Sequence, residues 1–199
     1  MARCWSVWTW ISHPACRVFD HAMSDAGLPL KILIVGVGNV LHGDDGFGVE
    51  LAWRLAKQVL APGIKVMETG IGGMSIVQEL MGGYDAVLLL DAHQSGGVPG
   101  EVRLLEPVLP DLSGLSPHAL RDYFADTHYA TPIRALTLLA HLGHLPPVVA
   151  IIGCEPALYE ALGMGLSPKV AASLEPAERM VYAWIAELQS GTPTSLRPG

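Results

Sequence analysis

From Lys31 to Glu50 the chain reads KILIVGVGNVLHGDDGFGVE. Lys31 to Val37 is a short apolar run, rich in β-branched residues and ending among glycines, which predicts a strand buried on both faces. Two carboxylates follow, Asp44 and Asp45. After them Val49, Ala52, Leu55, Ala56 and Val59 recur at helical spacing until Pro62-Gly63 ends the run. Strand, acidic turn and helix in this order predict an α/β fold, with Lys31–Val37 expected as its central strand.

The same alternation continues downstream. Ile64 to Glu68 reads as a strand, Met74 to Leu80 as a helical run stopped by Gly82-Gly83, and Ala86 to Asp91 as another buried strand. The glycine-rich turn QSGGVPG leads into Val102 to Leu105, whose charged and apolar residues alternate as in an edge strand, and the parallel pattern is expected to break there. Residues 107–126 carry turn residues and a weak helical pattern. Ile133, Leu136, Leu139, Ala140 and Leu142 predict a helix ending near Gly143, Val148 to Ile152 a last strand, and Lys169 to Leu188 one final helix. The expected architecture is a three-layer α/β/α sandwich around a mostly parallel, twisted sheet of about five strands. Ligands of such sheets lie outside the carboxyl ends of the strands.

The 199 residues suit one domain with a single continuous core. Residues 29–189 are expected to form it. Residues 1–28 read as an N-terminal extension, foreign to the domain or disordered; they hold Trp5, Trp8 and Trp10 but no signal-peptide pattern, and Met23 opens the run that leads into the first strand. The tail 190–199, rich in Pro, Ser, Thr and Gly, is expected to be disordered. A net charge of −7 without a Lys/Arg cluster argues against nucleic acid as a partner. No apolar run approaches the roughly 20 residues of a membrane span. Three cysteines without a Cys-x-x-Cys pair fit a reducing compartment, so a cytoplasmic, soluble protein is expected.

Asp44 and Asp45 stand just after the first strand, and Asp91 ends the apolar run LLLDA. The acidic pair could simply cap the following helix. Asp91 is harder to explain that way, because a carboxylate ending a buried strand costs several kcal/mol by order of magnitude unless a cation or donors receive it. Glycines 36, 38, 43, 46 and 48 bracket the pair and predict a sharp turn with room for a ligand or peptide. A dinucleotide loop would need glycine where Leu41 stands, and only Glu68, at the end of the second strand, favours a nucleotide. A phosphate loop lacks its Gly-Lys-Ser/Thr. His-Glu-x-x-His and Gly-x-Ser-x-Gly are absent, and no flanking motif marks Cys154 as a nucleophile. Asp45, Asp91 and one imidazole would make a mixed oxygen and nitrogen site suited to nickel or zinc.

GVGNVLHGDDGFGVE, LLLDA with its GGVPGEV turn, and IIGCEPALYEALGMGLSPKVAASLEPA, in that order, resemble the hydrogenase maturation endopeptidases over roughly Leu30 to Glu187. The resemblance implies removal of a C-terminal extension from the nickel-loaded large-subunit precursor of a nickel-iron hydrogenase. It also implies an aspartic-type or metal-dependent site in which Asp45, Asp91 and a histidine engage the nickel, while Asp44, Asp45 and Asp91 are the carboxylates available for catalysis. Two histidines compete. His128, in ADTHYAT, matches the family spacing to Gly153 without a gap and is preferred over His118, in LSPHAL, which is expected in a solvated insertion. His93 is expected behind the site; His42, His141 and His144 are weaker ligand candidates. Where the family often carries an aspartate before paired glycines, this chain has Glu68. A nucleotide-binding module of Rossmann type and a non-catalytic nickel chaperone of the same pathway are the alternatives.

Overall fold

The computed structural model describes residues 29–125, 131–157 and 162–191. The extension expected over 1–28 lies outside them, as do His128 and residues 192–199.

Every residue of β1 (Ile32–Val37) is buried, so both faces of its sheet must be covered. β1 lies between β2 (Ile64–Gly70) and β3 (Ala86–Ala92), parallel to both. β3 in turn pairs in parallel with β5 (Val148–Cys154), and β4 (Val102–Leu105) closes the far edge antiparallel to β5. The order is β2-β1-β3-β5-β4. The middle place therefore falls to β3 rather than to β1, because β2 alone is added on one side of β1 while β4 and β5 are both added beyond β3.

Successive side chains of a strand point to opposite faces, and two cores follow from that alternation. Ile32, Ile34, Leu88 and Leu90 face α1 (Phe47–Ala56) and α6 (Leu174–Ser190), whose Phe47, Leu51, Leu55, Val181 and Trp184 are buried against them. Leu33, Val35, Val87 and Leu89 face α2 (Met74–Leu80) and α4 (Pro132–Leu142) through Ile76, Leu80, Leu136 and Leu139. This is the expected three-layer sandwich. A further helix, α3 (Pro117–Ala125), forms within the weakly patterned 107–126 segment.

Two helix boundaries differ from the sequence pattern. Val59 is fully exposed, because α1 stops at Ala56, where Lys57 and Gln58 donate back to Arg54 and Leu55 in three-residue steps that close the last turn. The final helix is split into α5 (Pro168–Ala172) and α6 at Ser173. Pro176 lacks the N–H that would bond Ala172, and its ring would meet that carbonyl, so one continuous helix is blocked. α6 also runs to Ser190, one residue past the expected domain limit, and Gly191 caps it in a left-handed conformation. Among the described residues no helix is long and apolar enough to cross a membrane.

Candidate active site

The carboxyl ends of β1 and β3 meet the start of α1 at very close range. A Cβ on Gly48 would stand 2.0 Å from the Leu90 carbonyl oxygen and 2.5 Å from that of Val37, and one on Gly36 would stand 2.6 Å from the Ala52 Cβ. At Gly36, Gly38 and Gly48 the space expected to admit a ligand is instead filled by the protein's own backbone. Gly38, at φ +124°, is equally committed, since its Cβ would collide with the Asp45 carbonyl oxygen at 1.8 Å. The acidic turn is thereby pressed down onto the strand ends as a single 3-10 turn, Gly43–Gly46.

That packing brings Asp45 and Asp91 together. Asp45 is half-buried and accepts a hydrogen bond from the Asn39 backbone N–H at 2.8 Å. Asp91, on the face of β3 shared with Leu89 and α4, has its carboxyl withdrawn from water, and its pKa is pushed up to about 7. Burial is the main cause and the negative charge of Asp45 the second, while a backbone hydrogen bond from Ala92 opposes both. Two carboxylates near enough at the end of a buried sheet for the charge of one to raise the pKa of the other form a place where a cation would relieve both costs. Among the described residues no group of three acidic, histidine or cysteine side chains completes a metal site.

Asp44, adjacent in sequence, is placed differently. It is fully buried, and its carboxylate accepts from the Ser167 N–H at 2.6 Å, the Ser167 hydroxyl at 2.9 Å and the Ala157 N–H at 2.9 Å. It straps the segment after β5 onto the acidic turn. Asp44→Ala should cost about 3 kcal/mol in urea unfolding, since it strands buried donors, and Asp44→Asn, which keeps one acceptor oxygen, about half of that. Equal stability of wild type and Asp44→Ala would show that the strap contributes nothing.

A residue that the sequence reading passed over, Glu155, plays the matching part for the Gln94–Gly100 turn. Its nearly buried carboxylate accepts from the Ser95 N–H and hydroxyl at 2.9 and 2.5 Å and from the Gly96 N–H at 3.0 Å. Burial raises its pKa, but the Ser95, Gly97 and Gly96 donors outweigh that and hold the carboxyl below the usual carboxylate range. The signal was present: Glu155 follows an apolar strand directly, as Asp91 stands near the end of one. Glu68, the one feature that favoured a nucleotide, folds back to accept from the Gly70 N–H at 3.1 Å. The Cys154 thiol is buried, 3.2 Å from the Ser173 hydroxyl, and burial pushes its pKa up, away from nucleophilic use.

Of the two competing histidines, His118 lies exposed on α3, with Nδ1 3.0 Å from the Asp122 carboxylate one turn on. His128 lies outside the described residues. Thr131, three residues after it, is the N-cap of α4, its hydroxyl accepting from the Arg134 N–H. α4 precedes the parallel strand β5, so its start lies at the carboxyl ends of the strands, and it covers the face from which Asp91 projects. His93 is half-buried, its N–H bonded to the Cys154 carbonyl at 2.9 Å and its Cβ against Gly153, the register partner of Asp91.

Residues 49–184 match the family described as hydrogenase maturation protease. The hydrogenase expression/formation protein HupM of Azotobacter chroococcum is 32% identical over 160 residues, which cover 79% of this chain and 72% of the relative. The hydrogenase 2 maturation protease of Escherichia coli is 30% identical over 163 residues, covering 79% and 92%. Among solved structures, the hydrogenase maturating endopeptidase HybD from Escherichia coli is similar with a TM-score of 0.64 and 28% identity, over 80% of this chain and 94% of that one. The NiFe hydrogenase maturation protease HycI from Thermococcus kodakarensis is similar with a TM-score of 0.58 and 26% identity, over 80% and 93%.

Proposed function

The chain belongs to the hydrogenase maturation proteases, and from that premise we propose that it is an endopeptidase whose neighbouring carboxylates, Asp45 and Asp91, act on the nickel-loaded large-subunit precursor to remove its C-terminal extension. The single observation that supports this use of the site is the pairing itself. Asp91 holds its proton up to about pH 7 because it is buried beside another carboxylate, and a divalent ion arriving with the substrate would remove that penalty. In this reading nickel is part of what is recognised. It enters with the precursor, is engaged by Asp45, Asp91 and His128, and so places the scissile bond only when the precursor is loaded. The position of the α4 start, on the Asp91 face, supports His128 as the third group.

A carboxylate then assists attack of water on the peptide carbonyl, and Asp45, at the rim of the pair, is the residue for that step. Asp44 takes the part of a positioning residue, its oxygens already occupied by Ser167 and Ala157. We place the reaction in the cytoplasm, where the thiol of Cys154 would remain reduced.

Mass spectrometry of the nickel-loaded precursor, incubated with and without this protein, tests the proposal. The expected result is loss of a short C-terminal peptide, at a rate lowered roughly a hundredfold by His128→Ala and left near the wild-type value by His118→Ala. An intact precursor mass after incubation with the wild type would sink the peptidase reading for this substrate. Full activity of His128→Ala would remove that histidine from the site.

A further inference from the structure

Three large apolar side chains beside the acidic turn face water. Leu41 is 55% exposed, Leu162 84% and Met164 80%. They are not scattered. The Gly163 N–H donates to the Leu41 carbonyl at 2.9 Å and the Gly43 N–H to the Gly163 carbonyl at 2.8 Å, a parallel bridge centred on His42 and Gly163 that sets Leu41 alongside Leu162. Both strands of this bridge are tied to the site. Leu41 is four residues ahead of Asp45 on the chain that forms the 3-10 turn, and the Leu162–Met164 stretch is anchored at Ser167 by Asp44. Gly165, at φ +91°, turns the chain between Met164 and that anchor. The stretches GNVLHG (38–43) and LGMGL (162–166) contain no Lys, Arg, Asp or Glu, in a chain of net charge −7.

Large exposed apolar side chains grouped on hydrogen-bonded backbone, unlike ones scattered singly, mark a surface that a partner covers. Resting on the function proposed above, we infer that Leu41, Leu162 and Met164 are the docking rim for an uncharged, apolar stretch of the precursor polypeptide flanking the bond that is cut. The occupant follows from continuity. The rim is built on the same backbone as the acidic turn that carries Asp45, so a polypeptide held there lies beside the site, and the rim offers it burial of apolar surface and an adaptable thioether but no charge to pair. Specificity here is a matter of which precursor presents an apolar segment at the right distance from its nickel.

The test compares full-length wild type with the triple variant Leu41→Ser, Leu162→Ser, Met164→Ser on the nickel-loaded precursor. KM in the cleavage assay and Kd from calorimetry should both rise about tenfold or more, while the melting temperature stays put because the side chains are exposed in the free protein. The exchange Val59→Ser, at a fully exposed apolar residue just past the end of α1 and outside the rim, should keep the wild-type KM. Wild-type KM should also change little between low and high salt, and a steep salt dependence would overturn apolar docking in favour of charge. If wild type binds but does not cut and the triple variant fails to bind, the rim stands and the function falls. If wild type cuts and the triple variant binds and cuts equally well, the rim falls and the function stands. Loss of a self-associated dimer in the triple variant, with precursor affinity unchanged, would assign the rim to a second copy of this chain and overturn the proposal.

Discussion

Asp91→Asn should abolish precursor processing and, in the same protein, raise the stability of the free chain above about pH 7. The two effects have one origin. The folded state holds the Asp91 carboxyl at a pKa of about 7, against the ordinary value of 3.8, so it binds the proton more tightly than the unfolded chain does. Stability from that proton is fully present below about pH 4 and is lost as pH rises through about 7. Three units at about 1.4 kcal/mol each set a ceiling of about 4 kcal/mol on what the charged form costs the fold at pH 8. Asparagine keeps the shape without the charge. The melting temperature of Asp91→Asn should therefore match the wild type near pH 4 and exceed it increasingly toward pH 8, while processing drops by roughly a hundredfold or more. Thermal melts across that pH range, set beside a mass-spectrometric processing assay, decide it. A variant destabilised equally at every pH would mean that Asp91 serves the fold and that its pairing with Asp45 is incidental.

Gly48→Ala should be among the most damaging single methyl additions in the chain. Helix propensity alone argues the other way, since alanine in place of an α1 glycine is worth about 1 kcal/mol in favour. The added carbon, however, would lie 2.0 Å from the Leu90 carbonyl oxygen and 2.5 Å from that of Val37, both backbone atoms that no rotamer change can move aside. α1 would have to lift from the sheet. We expect a loss of about 3 kcal/mol or more, read as a lowered urea midpoint. Because Val37 ends the strand that leads into the acidic turn and Leu90 is next to Asp91, whatever folds should also process precursor poorly. Gly114→Ala is the control: nothing lies within 4 Å of its Cβ, and its stability should stay within about 0.5 kcal/mol of wild type. Equal midpoints for Gly48→Ala and Gly114→Ala would refute close packing at the acidic turn.

Much of the fold was legible because its strands are continuous apolar runs and its helices show a regular apolar period. α2 and β4 begin and end where the pattern placed them, and the left-handed Gly143 ends α4 as its position indicated. Boundaries went astray where a local rule was outweighed. Val59 continued the helical period, yet three-residue hydrogen bonds had already closed α1; Pro176 could have signalled the break at Ser173, but the apolar period ran straight through it. Site glycines misled for a different reason. A glycine-rich turn reads the same whether a ligand or the chain's own backbone fills the space, and at Gly36, Gly38 and Gly48 it is the backbone.

By itself the sequence determined the alternation of strands and helices and the presence of acids at the carboxyl ends of buried strands, because both are written in the order of neighbouring residues. It could not decide what Asp44 and Asp45 each do. In a 3-10 turn adjacent side chains diverge by about 120°, so one of two neighbouring aspartates faces inward and the other sideways. Only the tertiary structure selects between them, by bringing Ser167, 123 residues away, onto Asp44 and Asp91 up to Asp45.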